Sequence, residues 1–174
     1  MNLVTTRFGV VQVTDDQLIR VPEGLVGFRS LTSYALIPDP VVAGLTWLQS
    51  TTDPETAFAL VTPEQVVTEY KLDLRPGDKA ALELTNGDDA VVYVILNRGE
   101  TGGLTVNLQG PLVINPHRRL GRQIVLTSSR YAVRYPLGSS ASVAQPASSQ
   151  DSDSSEPVEA AAAGLIDVVA RVSL

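Results

Sequence analysis

Trp-Leu-Gln-Ser-Thr-Thr-Asp-Pro-Glu-Thr-Ala-Phe-Ala-Leu-Val-Thr-Pro, residues 47 to 63, is the stretch of sequence that decides the fold. Two short apolar runs, at 45–49 and 57–61, flank a polar corner at 50–56 that contains Asp53-Pro54, a pair that favours turn initiation. This pattern predicts a strand, a turn and a second strand. Because loops held by a rigid sheet often carry function, the corner is also the first candidate for a functional surface.

Further short apolar runs, separated by Gly, Pro and Asp, continue on both sides of this hairpin. Alternation of apolar and polar residues is typical of half-buried strands, so we expect strands in two short pieces within 3–13 and at 18–21, 34–38, 69–74, 90–96, 104–109, 112–115, 123–126 and 131–135. A brief helical turn is expected after Thr14 and another after Pro63, and 78–84 is rich in helix formers. The sequence therefore predicts an all-β fold, a small antiparallel β-barrel or sandwich-like domain with one or two short helices.

The composition changes after residue 137. Residues 138–156 are rich in Ser, Ala and Asp without apolar periodicity, which predicts a disordered C-terminal linker. In 157–174, apolar residues recur at helical spacing, and this fits a short amphipathic helix that would be marginal in isolation. We therefore expect one β domain at 1–137 followed by a tail.

Charge and residue usage exclude several classes of protein. The net charge is -6, and residues 138–174 account for -4 of it, so the domain is nearly neutral and lacks the basic footprint of a phosphate-backbone binder. The absence of cysteine excludes disulfides and thiol chemistry. No apolar run approaches the roughly 20 residues that span a bilayer, and no signal peptide is recognisable. We expect a soluble, monomeric, cytoplasmic protein without direct nucleic-acid or membrane binding.

The residues that usually catalyse reactions are sparse or poorly placed. The single histidine, His117, lies beside arginines that oppose metal ligation. Carboxylate pairs such as Asp53/Glu55 fall in predicted turns, and acid-base chemistry would require that pair to face each other across a pocket. Neither a phosphate loop nor a nucleophile elbow is present. We expect no catalytic activity, no metal and no cofactor.

An arginine cluster is the local exception to the acidic balance. It comprises Arg118, Arg119, Arg122, Arg130 and Arg134. These cations either keep sheet edges from self-pairing or meet an acidic or phosphate-bearing partner. The second reading supports an alternative function, a nucleic-acid or ligand-binding β-barrel that uses the basic cluster from Arg118 to Arg134. Binding of that kind would weaken steeply with salt.

Several other residues have both a structural and a functional reading. A lone tryptophan such as Trp47 is more often core than exposed anchor. Gln49, Asn107 and Gln109 are predicted to point outward, where they either pair with neighbouring backbone or contact a partner. On composition and pattern alone, the chain is a small β domain that binds something.

Four stretches, in order, resemble the FliW family of flagellar assembly factors. Residues 22–28 (Pro-Glu-Gly-Leu-Val-Gly-Phe) resemble that family's Pro-x-Gly-Ile-Pro-Gly-Phe loop, and residues 105–115 resemble its Asn-Leu-x-Ala-Pro-Ile-Val-Ile-Asn signature. Residues 47–58 match its central motif, and 121–126 with Tyr131 and Pro136-Leu137 resemble its last strands. The chain departs from the pattern at Val26, at Gly110 and at 64–67, where aromatic residues are expected.

The resemblance implies a non-enzymatic partner switch. Members of the family bind flagellin in the cytoplasm and also bind CsrA, a regulator that represses flagellin translation, so that free flagellin controls its own synthesis. This chain is then expected to bind flagellin and CsrA through its exposed corner, with polar contacts from the outward amides and the 118–119 loop. The residues expected to take part are Trp47, Gln49, Asp53, Pro54, Glu55, Phe58, Asn107, Gln109, Arg118 and Arg119.

Overall fold

The computed structural model describes residues 1–85, 90–99, 102–127 and 130–137. In this part of the chain the strands are β1 (Asn2–Thr5), β2 (Gly9–Gln12), β3 (Leu18–Arg20), β4 (Ser33–Pro38), β5 (Thr46–Ser50), β6 (Ala57–Val61), β7 (Val91–Arg98), β8 (Leu104–Asn115), β9 (Leu120–Gln123) and β10 (Tyr135–Pro136). One α-helix, α1 (Pro76–Ala81), and two 3-10 turns, Asp15–Gln17 and Pro63–Gln65, accompany them.

Strands β3 to β9 form a closed seven-stranded barrel. Each strand from β3 to β8 pairs antiparallel with the next along the chain. The ring closes where β3 runs parallel to β9, with Arg20 opposite Leu120. β10 adds to the first half of β8, and β1 and β2 form a separate hairpin. The predicted all-β barrel is thereby confirmed.

Two apolar layers hold the barrel, because successive side chains of a strand point to opposite faces. One buried cluster draws a member from each of β3 to β8 and therefore fills the interior: Ile19, Tyr34, Leu48, Leu60, Ile95, Leu112 and Ile114 belong to it. A second cluster, which includes Ile37, Trp47 and Val106, lies on the outer face. Leu3 and Val13 of the β1–β2 region cover that face.

The alternating strand directions assign each connection to one end of the barrel. β3 and β5 run in the same direction, so the 21–32 loop after β3 and the β5–β6 turn after β5 lie at the same end of the barrel. We call this end the corner end. The β4–β5 loop and the β8–β9 turn are at the opposite end. Any functional site built from loops therefore uses residues of one end or the other.

A large bulge in β8 lies at Gly110-Pro111, between the two strands that the sequence predicted at 104–109 and 112–115. Tyr93 pairs with Leu112, but Ile95 pairs with Asn107, so four residues of β8 oppose the single residue Val94. A Cβ at position 110 would lie 2.7 Å from Nδ2 of Asn107, so a larger residue there would require the Asn107 side chain to move. The bulge bends the long strand so that both halves stay in the barrel.

Three secondary-structure predictions were wrong. Residues 69–74 form no strand; this segment instead packs against the barrel through Tyr70, whose hydroxyl donates to the carbonyl of Leu108 at 2.7 Å. The last two strands are β9 and β10 rather than 123–126 and 131–135. The helix predicted at 78–84 begins at Pro76, because proline suits the first turn, where its missing N–H has no partner to lose.

The linker predicted at 138–156 and the helix predicted at 157–174 lie outside the described residues. Within the described ranges, no helix combines the length and apolar character that crossing a membrane requires.

Candidate partner-binding surface

The corner between β5 and β6 is an exposed turn held by side-chain hydrogen bonds. The Asp53 carboxylate accepts hydrogen bonds from the Glu55 N–H at 3.0 Å and from Oγ1 of Thr56 at 2.6 Å. These donors lower the pKa of Asp53, the Thr56 hydroxyl contributing most. Pro54 and Glu55 are exposed at the tip. The Asp53 carboxylate is thus committed to turn geometry and does not face Glu55 across a pocket.

Gln49 holds the corner from beneath. The prediction that this amide points outward was wrong: its side chain is fully buried. Its Nε2 lies within 3.0–3.4 Å of the carbonyl oxygens of Ser50, Asp53, Pro54 and Thr56, and the two amide hydrogens are shared among these acceptors. Gln49 falls on the covered outer face because it lies two residues after Trp47 on β5. It positions the corner and cannot contact a partner directly.

Trp47 is a core residue and is not an exposed anchor. Only 2% of its surface is accessible, and its indole N–H donates to Oδ2 of Asp39 at 2.9 Å. Phe8 packs edge-on against the indole at 5.5 Å, and the guanidinium carbon of Arg7 lies 4.5 Å from the ring centroid. The interpretation of Trp47 as a core residue is therefore correct. Its predicted contact with a partner is wrong, because the turn between β1 and β2 covers the ring.

Phe58 marks a second accessible feature of the corner end. Its half-buried ring packs edge-to-face against Phe28 with centroids 5.0 Å apart, and against the interior Tyr34 at 6.4 Å. Phe28 is 40% exposed. We call the Phe28–Phe58 pair the aromatic mouth, since it joins the barrel interior to the surface.

The 21–32 loop places Phe28 in this position. Gly24 has φ +65°, and a Cβ there would lie 2.5 Å from the Cα of Arg29, so only glycine allows the chain to fold back so tightly. The Phe28 N–H then donates to the Leu25 carbonyl at 2.8 Å, and Leu25 is buried. Sequence analysis identified the loop at 22–28 but did not select Phe28 as a binding residue. The signal was present in the two glycines that flank Leu25 and Val26.

Asn107 and Gln109 lie in the β8 bulge and are half-buried. Oδ1 of Asn107 accepts from the Gln109 N–H at 3.1 Å, so the Asn107 side chain stabilises the bulge itself. Both residues are on a strand rather than on the loops of the corner end. This arrangement favours the structural reading of Asn107 that the sequence left open.

Arg118 and Arg119 are exposed on the β8–β9 turn, at the end of the barrel opposite the corner. Nε of Arg118 lies 3.2 Å from a carboxylate oxygen of Glu83, and Nη1 of Arg119 donates to the Asp15 carbonyl at 2.8 Å. Arg122, by contrast, pairs with Glu23 and Asp78. The predicted arginine cluster therefore contacts different elements, and the structure does not join it to the corner.

The described residues contain no cluster of side chains that could bind a metal ion. No group of three or more His, Asp or Glu side chains is close enough there to hold an ion. Among the described residues, the corner end instead presents an apolar ring pair and a polar turn. Such a combination resembles the centre and rim of a protein interface.

Fold and surface define a small closed β-barrel whose exposed features include a hairpin corner and an aromatic mouth. The family model described as FliW protein matches residues 2–137. The chain therefore belongs to the FliW family of flagellar assembly factors, as its four sequence motifs predicted.

Individual relatives agree with this assignment. The chain is 36% identical over 138 residues to the flagellar assembly factor FliW of Geobacter sulfurreducens, covering 79% of this chain and 86% of the relative. It is 35% identical over 139 residues to that of Moorella thermoacetica, covering 79% and 88%. A crystal structure of the flagellar assembly factor FliW superposes with a TM-score of 0.71 at 29% identity, covering 78% of this chain and 96% of that one.

Proposed function

We propose that this chain binds flagellin in the cytoplasm, that it also binds a CsrA regulator, and that each partner weakens the binding of the other. Membership of the FliW family over residues 2–137 is the observation that carries this proposal. Flagellin that accumulates would occupy the chain and release CsrA, which would then repress flagellin synthesis. The chain would act as a monomer, without catalysis and without a cofactor.

Coupling of this kind needs only differential binding. If flagellin lowers the affinity for CsrA by some factor, then CsrA must lower the affinity for flagellin by the same factor. A rigid barrel with loops at two ends provides surfaces for two partners. The required chemistry is limited to complementary apolar and polar contacts.

We place the flagellin contact at the corner end. The aromatic mouth offers an apolar centre, since Phe28 is partly exposed while its other face packs on Phe58. Pro54 and Glu55 add a polar, exposed rim that Gln49 holds in one conformation. Aromatic residues in such positions often contribute most of the binding free energy.

Replacing Phe28 by alanine tests this placement. We expect the affinity for flagellin from the same cell to fall at least about tenfold, which corresponds to about 1.4 kcal/mol. The matched control is Val10→Ala, because Val10 is 66% exposed but lies on the β1–β2 hairpin. Calorimetric titration of both folded variants gives the comparison. Equal affinities of the two variants would remove the aromatic mouth from the interface.

Reversing one charge tests the rim separately. Glu55→Arg changes the exposed tip of the corner, whereas Glu64→Arg makes the same change on an exposed residue after β6, at the opposite end of the barrel. We expect only Glu55→Arg to weaken flagellin binding. Circular dichroism should show the same fold for both variants, and equal effects would point to net charge rather than to a local contact.

A further inference from the structure

A groove along the side of the barrel is not used by the proposed flagellin contact. Two adjoining clefts, of about 280 and 270 Å³, share Arg75, Asp78, Ile124 and Val125. The 21–32 loop lines one of them, and the segment around Lys71 and Tyr131 lines the other. We call the combined feature the lateral groove.

The lateral groove is cationic in a chain of net charge -6. Its walls carry five basic and three acidic side chains: Arg29, Lys71, Arg75, Arg122 and Arg130 against Glu23, Asp73 and Asp78. Arg122 already pairs with Glu23 and Asp78. Arg29 and Arg75 are exposed, and neither forms an ion pair with another described residue. Two cations are therefore available to a negatively charged occupant.

Along the floor of the groove, the chain beyond β9 also has a backbone edge that is not paired within the described residues. Beyond β9 the chain continues beside β8, with the N–H groups of Ile124 and Leu126 donating to the carbonyls of Pro111 and Gln109 at 2.8 and 2.9 Å. By the alternation of an antiparallel ladder, the backbone N–H and C=O of Val125 point away from β8. They form no hydrogen bond within the described chain, and the Val125 side chain is 60% exposed. An extended segment can therefore pair with this edge.

This chain supplies an acidic segment of its own. Residues 151–159 contain Asp151, Asp153, Glu156 and Glu159 and no basic residue. Thirteen residues separate Leu137, the last described residue, from Asp151. Fully extended, they reach about 45 Å, which exceeds the roughly 40 Å length of the twelve-residue β8. The segment can therefore reach the groove without strain.

We propose that the acidic segment, residues 151–159, binds in the lateral groove of the same chain, with its carboxylates on Arg29 and Arg75. A tether of this length gives an effective concentration in the millimolar range, so weak contacts suffice. An occupied groove would be closed to any other acidic chain. The proposal does not depend on flagellin binding, because the groove and the aromatic mouth use different residues.

A spin label on the tail tests the contact in the full chain. Because the chain has no cysteine, Ser154→Cys provides a single labelling site. We expect a nitroxide there to broaden the amide resonances of Val125 and Leu126 and to leave that of Val10, on the β1–β2 hairpin, sharp. Equal broadening at all three positions, or none at Val125, would overturn the proposal.

Charge variants show whether the groove cations are responsible. Arg29→Glu with Arg75→Glu should abolish the selective broadening, whereas Arg20→Glu, an exposed change on β3, should preserve it. Adding Asp151→Lys and Asp153→Lys to the double groove variant should restore it. About 1 M salt, with a screening length of about 3 Å, should weaken it. If every variant folds and the selective broadening is the same in all of them and in high salt, the proposal is contradicted.

A mixed sample separates contact within a chain from contact between chains. Chains that carry the spin label but no NMR isotope are mixed with isotope-labelled chains that carry no spin label, so that only contacts between chains can broaden the observed amide resonances. We expect no selective broadening at Val125 in this mixture. Its appearance would mean that the groove receives the tail of a second copy, and the intramolecular contact would be refuted.

Discussion

At the scale of single residues, the corner depends on two side chains with opposite exposures. Gln49 is buried with its amide nitrogen among four carbonyl oxygens, whereas Asp53 caps the turn from the surface. Sequence analysis identified both positions, because they lie in or next to the polar corner between two apolar runs, where Asp-Pro favours a turn. It could not assign their roles, because the orientation of Gln49 depends on the β1–β2 hairpin, which is distant in sequence.

Gln49→Leu should destabilise the chain because it removes the hydrogen bonds that the buried amide donates to carbonyls of the corner. We expect a loss of about 2–3 kcal/mol in the free energy of unfolding, measured by urea denaturation. Gln12→Ala, on the exposed side of β2, is the matched control and should change it by less than about 0.5 kcal/mol. Similar losses in the two variants would mean that Gln49 does not hold the corner.

Asp53 should make stability depend on pH. Its native pKa is lowered, so its stabilising contribution is complete above the unfolded pKa of about 3.9 and is lost as pH falls through the lower native value. Asp53→Asn cannot accept a bond from Thr56 through its amide nitrogen. The difference in the free energy of unfolding between parent and Asp53→Asn should therefore shrink between about pH 6 and about pH 3. A difference independent of pH would contradict this assignment.

At the scale of elements, the β1–β2 hairpin is what converts one outer face of the barrel into a second core. Trp47 lies there beneath Phe8, with Asp39 accepting from its indole. The sequence predicted most strands, because their alternation and their Gly and Pro boundaries are local signals. It failed at 69–74, where alternating polarity reflects the anchoring of Tyr70 to β8 and Tyr131 rather than strand pairing.

The single tryptophan reports on this hairpin. Phe8→Ala should shift the fluorescence of Trp47 toward that of exposed indole and lower the free energy of unfolding by about 2 kcal/mol, below the 3–5 of a fully buried phenylalanine. Val10→Ala, on the exposed face of the same hairpin, should leave the emission unchanged. An unshifted spectrum in Phe8→Ala would mean that the hairpin does not cover the indole.

At the scale of the whole molecule, the barrel separates surfaces that the sequence had combined. The corner and the aromatic mouth share one end, whereas Arg118 and Arg119 lie on a turn at the other. The family was readable from four motifs because they contain local signals, such as the glycine required at 24 and the break in the β7–β8 register near Gly110-Pro111. Which motifs lie together on one surface could not be predicted from the sequence, because this depends on the order of the strands and on the closure of the barrel.

The most direct test of the proposed function is a calorimetric titration of the full chain with flagellin from the same cell, repeated in the presence of saturating CsrA. We predict that flagellin binds, and that its affinity falls when CsrA is present by the same factor by which flagellin lowers the affinity for CsrA. Binding of neither partner to the folded chain, or binding of both with unchanged affinities, would contradict the account.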